Sequence, residues 1–166
     1  MTDRYIPAVR DILLGQGWKL ATAESCTGGL VAHEITTQVG CSAWYCGGVV
    51  AYADSTKTSL LSVPANLISE HGAVSRPVAR DMAVGACQRI PEADIAISIT
   101  GIAGPDGGTD DKPVGLVYVG LATVEGSTQI CEYYFQGTRS DIQIAASHAA
   151  WEMLYQRLSE NVISKV

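Results

Sequence analysis

The chain has 166 residues, 47% of them hydrophobic, which is enough to bury a core within one domain. A formal net charge of −6 with no basic run excludes a primary nucleic-acid binder of the kind that presents a basic face. No apolar stretch reaches membrane-spanning length, and Asp3 and Arg4 do not open a signal peptide, so a cytoplasmic protein with no membrane partner is expected. Cys26, Cys41, Cys46, Cys87 and Cys131 fall at no zinc-type spacing, and His33, His71 and His148 are scattered. Reduced thiols and no metal are the expectation.

Residues 3–16 place Tyr5, Val9, Ile12 and Leu13 on one helical face, closed by Gly15 and Gly17. A strand is expected over 19–23, then a small-residue turn at Ser25, then a helix over 28–37. The run from Gly47 to Tyr52 reads as a buried strand entered by glycines. Asp54-Ser55 then cap a short helix carrying Lys57, Leu60 and Leu61. Pro64 opens another short helix ending at Gly72. Ser75 is the expected N-cap of a helix over 76–90, with Pro77 in its first turn and Val78, Met82, Ala86 and Ile90 as its apolar stripe.

Ile95 to Ile99 reads as a strand running into the glycine-rich loop 101–108. Val114–Val124 and Thr128–Phe135 flank Glu125-Gly126-Ser127 as a hairpin. The last helix starts near Ser140, where Ser140-x-x-Gln143 has capping-box form, and its face runs Ile142, Ala146, Ala149, Met153 and on to Leu158. The expectation is an α/β fold: a three-layer α/β/α sandwich with a mixed sheet, one domain over 1–166.

Ala23-Glu24-Ser25-Cys26-Thr27-Gly28-Gly29 lies between the first strand and the second helix. Such a turn exposes a hydroxyl or thiol beside unpaired helix N–H groups, which favour an anionic ligand or a developing oxyanion. Ser25 is the first candidate nucleophile. Cys26 competes with it, because a thiol at a helix N-terminus has a depressed pKa. Tyr52 and Lys57 flank a strand-to-helix turn, and a lysine whose pKa burial lowers can activate a serine, with a tyrosine hydroxyl relaying the proton. On spacing alone, a packed ring and a solvated cation are the commoner outcome, since most lysines are exposed.

Thr100-Gly101-Ile102-Ala103-Gly104-Pro105-Asp106-Gly107-Gly108-Thr109 is neither a dinucleotide fingerprint nor a Walker loop. Its small residues let backbone N–H groups approach a flat or anionic ligand, and an ordinary turn at Pro105-Asp106-Gly107 also explains them. Asp106, Asp110 and Asp111 match no calcium loop. Arg139, just before the expected N-cap, fits a phosphate clamp or a surface arginine. His148 fits a packed or half-exposed position in the last helix.

Together these segments resemble the C-terminal domain of the competence/damage-inducible protein A family, the nicotinamide-nucleotide amidohydrolases. The resemblance is carried by the Ala23–Gly29 and Gly47–Tyr52 segments, the latter continuing to Lys57, by His71-Gly72-Ala73-Val74-Ser75, by the Thr100–Thr109 loop and by Lys112-Pro113-Val114-Gly115. It covers roughly residues 19–158 in the family's order and reads as a stand-alone form without the larger N-terminal domain that many members carry.

The resemblance implies deamidation of nicotinamide mononucleotide to nicotinate mononucleotide and ammonia, with no cofactor. It implies Ser25 as nucleophile, Lys57 as general base and Tyr52 as the residue that orients or relays the proton. The N–H groups from Cys26 through Thr27 and Gly28 to Gly29 become candidates for an oxyanion hole. Gly48, Thr100, Gly101, Ala103, Gly104, Pro105, Gly107 and Gly108 would border the substrate, and Arg139 would face its phosphate. A homodimer is also implied, with Trp44 or Tyr45 available for an interface or for the core. Two positions depart from the family's Gly-Asp-Arg motif and the arginine that follows it: Thr138 and Gln143 stand there instead. That departure keeps open a non-catalytic module binding a nucleotide or a protein partner. A DNA-related role is opposed by the acidic charge.

Overall fold

The computed structural model describes residues 4–163. Helix α1 (Tyr5–Gln16) leads to strand β1 (Leu20–Glu24), helix α2 (Leu30–Thr36), a 3₁₀ turn at Cys41–Ala43 and strand β2 (Tyr45–Val50). Helices α3 (Asp54–Leu61), α4 (Ala65–His71) and α5 (Arg76–Arg89) then precede β3 (Ile95–Gly101). The hairpin of β4 (Leu116–Thr123) and β5 (Thr128–Tyr134) feeds the long helix α6 (Arg139–Ile163). The sheet order is β2-β1-β3-β4-β5, with β2, β1 and β3 parallel and the hairpin strands antiparallel. This is the expected α/β/α sandwich with a mixed sheet.

Side-chain alternation decides which helices cover which face. In β3, Ile95, Ile97 and Ile99 enter the core under α1, α2 and α6, while Ala96 enters the core under α3, α4 and α5. β1 divides the same way, with Leu20 on the first side and Ala21 and Ala23 on the second. Each buried isoleucine contributes about 1.5–3 kcal/mol over exposure. The small residues on the second face let α5 lie close to the sheet. Ser98 Oγ donates to the Ala79 carbonyl at 2.6 Å, and a Cβ on Gly120 would fall 2.6 Å from that same oxygen.

Several boundaries fall elsewhere than expected. β2 starts at Tyr45, so Gly47 and Gly48 lie inside the strand rather than at its entry. A Cβ on Gly48 would stand 2.0 Å from Thr22 Oγ1 and 2.6 Å from the Tyr45 hydroxyl, which hydrogen-bond to each other at 2.9 Å. Gly48 is thus a packing residue within the sheet. Trp44 is fully buried and belongs to the core, and Tyr45 is half-buried and packs against it.

The helix starts also differ. Ala53, not Asp54 or Ser55, is the N-cap of α3, and Asp54 sits in the first turn, where its charge suits the helix dipole. Ser75 is the N-cap of α5, but its hydroxyl donates to the Gly72 carbonyl instead of accepting from the helix. At α6 the capping box is Thr138-x-x-Asp141. The Thr138 N–H donates to Asp141 Oδ2 at 2.8 Å, and the Asp141 N–H to Thr138 Oγ1 at 3.3 Å. Gln143 is therefore released from the capping role. Among the described residues no helix is long and apolar enough to cross a membrane.

Candidate active site

β1 lies between two strands reached over opposite faces of the sheet: α2 leads to β2 on one side, and α3–α5 lead on to β3 on the other. The loops leaving the carboxyl ends of β1 and β3 therefore part in opposite directions, and open α/β sheets bind ligands at such a divergence. A cleft of about 180 Å³ sits there. It brings together Ser25, Cys26, Tyr52, Lys57, Thr100, Gly101, Ala103 and Arg139 from among the residues singled out above, and adds Asp54, Ala73 and Val74. A larger groove of about 380 Å³ between β5 and α6 is lined chiefly by apolar groups such as Tyr133, Phe135 and Ile144 and holds no serine, cysteine or lysine.

The turn at Ser25 is held by most of its backbone groups, the N–H groups of Cys26 and Thr27 excepted. The Ser25 N–H donates to the Ile99 carbonyl at 2.9 Å, and the Ser25 carbonyl accepts from Gly28 at 3.1 Å. Glu24, only 1% exposed, turns its carboxylate onto the start of α2 and accepts from the N–H groups of Gly29, Val31 and Ala32 at 2.9–3.2 Å. A buried carboxylate is tolerable there because three charge-assisted hydrogen bonds and the helix dipole replace its hydration. This narrows the candidate oxyanion hole. Gly28 and Gly29 are committed elsewhere, and the N–H groups of Cys26 and Thr27 are the ones with no acceptor among the described residues.

Cys26 does not have the activated thiol that its position suggests. Burial pushes its pKa up to about 12, against the lowering influence of its own backbone N–H and, more distantly, of Arg139 and Lys57. At neutral pH it is a small apolar side chain, leaving Ser25 as the nucleophile candidate.

Lys57 is 1% exposed, the opposite of a solvated cation. Its Nζ donates to the Tyr52 carbonyl at 3.1 Å and lies 3.6 Å from Asp54 Oδ1. Burial lowers its pKa, and Asp54 acts against that lowering. The Tyr52 ring is 61% exposed and its hydroxyl does not turn to Lys57; it accepts from Arg139 at 3.0 Å. The other arm of Arg139 donates to the Gly104 carbonyl at 2.8 Å, so the guanidinium spans from α6 to the loop after β3 and to the segment after β2.

Two of the remaining glycines of the 101–108 loop press against Val114. A Cβ on Gly104 would stand 2.6 Å from Val114, and one on Gly108 would stand 2.8 Å from the Val114 N–H nitrogen. Pro105, Gly107 and Gly108 are exposed and do not line the cleft, and neither do Gly28, Gly29, Gly48 and Gly104. Thr27 is not a lining residue either, but its N–H shares a peptide unit with the carbonyl of Cys26, which does line the cleft. Ala73 and Val74, missed as site residues, are pinned from two sides. Thr100 Oγ1 donates to the Ala73 carbonyl at 2.9 Å, and Lys112 Nζ to those of Val74 at 2.8 Å and His71 at 2.5 Å. Lys112 thereby explains why a lysine follows the glycine-rich loop. His148 packs edge-on against Tyr5 with ring centroids 5.4 Å apart, outside this cleft.

Fold and cleft together define a three-layer α/β domain with a serine, a buried lysine and an arginine gathered where its parallel strands diverge. The family model of the CinA C-terminal domain matches residues 3–158, and the chain belongs to that family. A CinA-like protein of Citrifermentans bemidjiense is 47% identical over 158 residues, which is 95% of this chain and 37% of that protein. One of Geotalea uraniireducens is 50% identical over 142 residues, 86% of this chain and 33% of its own. The chain thus spans about a third of the length of these curated relatives. A CinA superfamily crystal structure from Klebsiella pneumoniae matches with a TM-score of 0.91 at 34% identity, covering 96% of this chain and 99% of that one. The competence/damage inducible protein structure from Agrobacterium tumefaciens matches at 0.86 and 38% identity, covering 93% and 95%.

Proposed function

We propose that this domain is an amidohydrolase that takes nicotinamide mononucleotide and water to nicotinate mononucleotide and ammonia, a step of pyridine-nucleotide salvage, in the cytoplasm. The observation that carries the reading is a fully buried lysine of lowered pKa lining one small cleft together with Ser25 and an arginine. A lysine that must work as a base needs its neutral form near neutral pH, and burial is the means of supplying it.

In this mechanism neutral Lys57 takes the proton of Ser25 Oγ as the oxygen adds to the carboxamide carbon. The carbonyl electron pair moves onto oxygen, which the free N–H groups of Cys26 and Thr27 meet. Lys57 returns the proton to the leaving nitrogen, ammonia departs, and an ester to Ser25 remains. Water then attacks the ester with Lys57 again as base, releasing the carboxylate and Ser25. Arg139 faces the substrate phosphate, and Tyr52 orients Arg139. No metal or organic cofactor takes part, and neither nucleic acid nor membrane is a partner. The protein works as a homodimer, which sedimentation checks.

Ammonia release from nicotinamide mononucleotide by the wild type, and its loss in Ser25→Ala, tests the reading. Equal rates in the two proteins, or no turnover by concentrated wild type, defeats it. A second reading, a nucleotide-binding module without turnover, is favoured by the neutral Thr138 and Gln143 beside Arg139. Calorimetric binding of the mononucleotide without ammonia release would establish that alternative.

A further inference from the structure

Gln143 is freed from helix capping by Asp141, and its side chain reaches out of α6 to the Ser25 turn. Its Nε2 donates to the Cys26 carbonyl at 2.8 Å, a contact between residues 117 positions apart. The Cys26 carbonyl and the Thr27 N–H belong to one planar peptide unit, so a donor that holds the first fixes the direction of the second. The same bond polarises that unit and strengthens its N–H as a donor. The neighbouring groups are already engaged: Ser25 through both its N–H and its carbonyl, Gly28 and Gly29 through their N–H groups, and the Thr27 carbonyl with Leu30 at 3.2 Å. Four residues earlier on α6, Arg139 grips Gly104 and Tyr52, so the start of this helix holds both sides of the cleft.

We propose that Gln143 is a positioning residue that holds the Thr27 N–H beside that of Cys26 as the second donor to the oxyanion of the acylation step. The proposal rests on the amide-hydrolysis reading above. In that step the bond from Ser25 Oγ to the carboxamide carbon forms, the carbonyl π pair becomes the oxyanion, and the Oγ proton passes to Lys57. Gln143 touches none of the reacting atoms and acts through one peptide plane.

Three variants test it by steady-state kinetics on nicotinamide mononucleotide. Gln143→Glu keeps the shape and removes the donor, Gln143→Leu removes all polarity, and Gln143→Arg restores a donor. A misaligned oxyanion donor lowers kcat with little change in KM, here by about 10- to 100-fold in the Glu and Leu variants. Gln143→Arg is expected to recover most of that loss. Inhibition by 3-pyridylboronic acid, whose tetrahedral adduct on Ser25 places an oxygen where the oxyanion forms, should weaken by the same factor as kcat. Affinity for nicotinate mononucleotide should hold. Wild-type kcat and boronate inhibition in the Glu and Leu variants overturn the proposal, as does a loss that appears only in KM or thermal stability. Should Gln143→Leu fail to fold, the isosteric Gln143→Glu carries the test alone. No turnover by the wild type itself is the distinct result that removes the underlying amidohydrolase reading.

Discussion

The Arg139 guanidinium donates to the Tyr52 hydroxyl at 3.0 Å, joining the start of α6 to the segment after β2 across 87 positions of chain. With the second arm on the Gly104 carbonyl, the arginine is anchored before any phosphate reaches it, and its fork still has donors to offer. A charge-assisted hydrogen bond contributes about 1.5–3 kcal/mol. Arg139→Met is therefore expected to raise KM for nicotinamide mononucleotide by roughly 10- to 100-fold, with a smaller effect on kcat. Nicotinamide riboside, which lacks the phosphate, should show no comparable penalty. Tyr52→Phe should move KM in the same direction by a smaller factor. A fall confined to kcat in Tyr52→Phe would instead assign the phenol to proton transfer.

The lysine makes a second prediction, on pH. The groups acting on its ammonium are Asp54 from its own helix, Cys26 and Tyr52, and Arg139 lines the same cleft. Burial lowers its pKa, so neutral Lys57 is present at lower pH than for an ordinary lysine near 10.4. Activity carried by the neutral amine rises with pH through that lowered pKa and then levels off. Asp54 stabilises the ammonium, so Asp54→Asn removes a raising influence. The acid limb of kcat/KM should move to lower pH in that variant. A limb that stays in place, or moves upward, would show that Lys57 is not the titrating base.

The same burial has a consequence for stability. Below its folded pKa, Lys57 is charged in both the folded and unfolded chains, and the folded state carries the full desolvation cost. Between the lowered pKa and about 10.4 the unfolded chain binds more protons, so wild-type stability contributed by this group rises with pH. Lys57→Met removes the buried charge and fills similar volume. It should abolish turnover while raising Tm by about 2–4 °C per kcal/mol recovered at neutral pH. The gap in Tm between variant and wild type should narrow as pH rises from the lowered pKa toward about 10.4. A variant less stable than wild type at pH 7 would show that the bonds to Tyr52 and Asp54 outweigh desolvation.

The sandwich was readable because the apolar periods of 2 and 3.6 are clean in β3, α5 and α6, and because glycines and prolines mark the turns. Ser25, Lys57 and Arg139 were readable as chemistry-bearing residue types at element ends. Distance in sequence hid the rest. Gln143 meets Cys26, and Lys112 meets Val74, through contacts that only the tertiary fold creates. The capping residue of α6 was misplaced by two positions because Ser140-x-x-Gln143 and Thr138-x-x-Asp141 both satisfy the local pattern, and only the geometry chooses. Asp54 was read as a cap, although its spacing of three from Lys57 already allowed an ion pair. The glycine-rich loop misled in the other direction, since its small residues answer to Val114 as much as to any ligand.

Glu24 was overlooked entirely, and it yields the last prediction. Its two carboxylate oxygens accept three backbone N–H groups at the entry to α2, and those bonds set the direction in which the chain leaves Ser25. Glu24→Gln keeps the length but has a single acceptor oxygen. An amide NH2 would then face either the Ala32 N–H or the pair from Gly29 and Val31, leaving buried donors opposed. The loss should be about 3 kcal/mol, which lowers Tm by roughly 6–12 °C in a domain of this size. Turnover should fall as well, because the orphaned N–H groups of the helix then compete for the same carbonyls that hold the turn. Glu24→Ala should be at least as destabilising, since it leaves all three N–H groups unpaired inside the fold. Thermal unfolding followed by circular dichroism checks both, and a Glu24→Gln variant within 1 °C of wild type would show that water or a shifted helix start satisfies those donors instead.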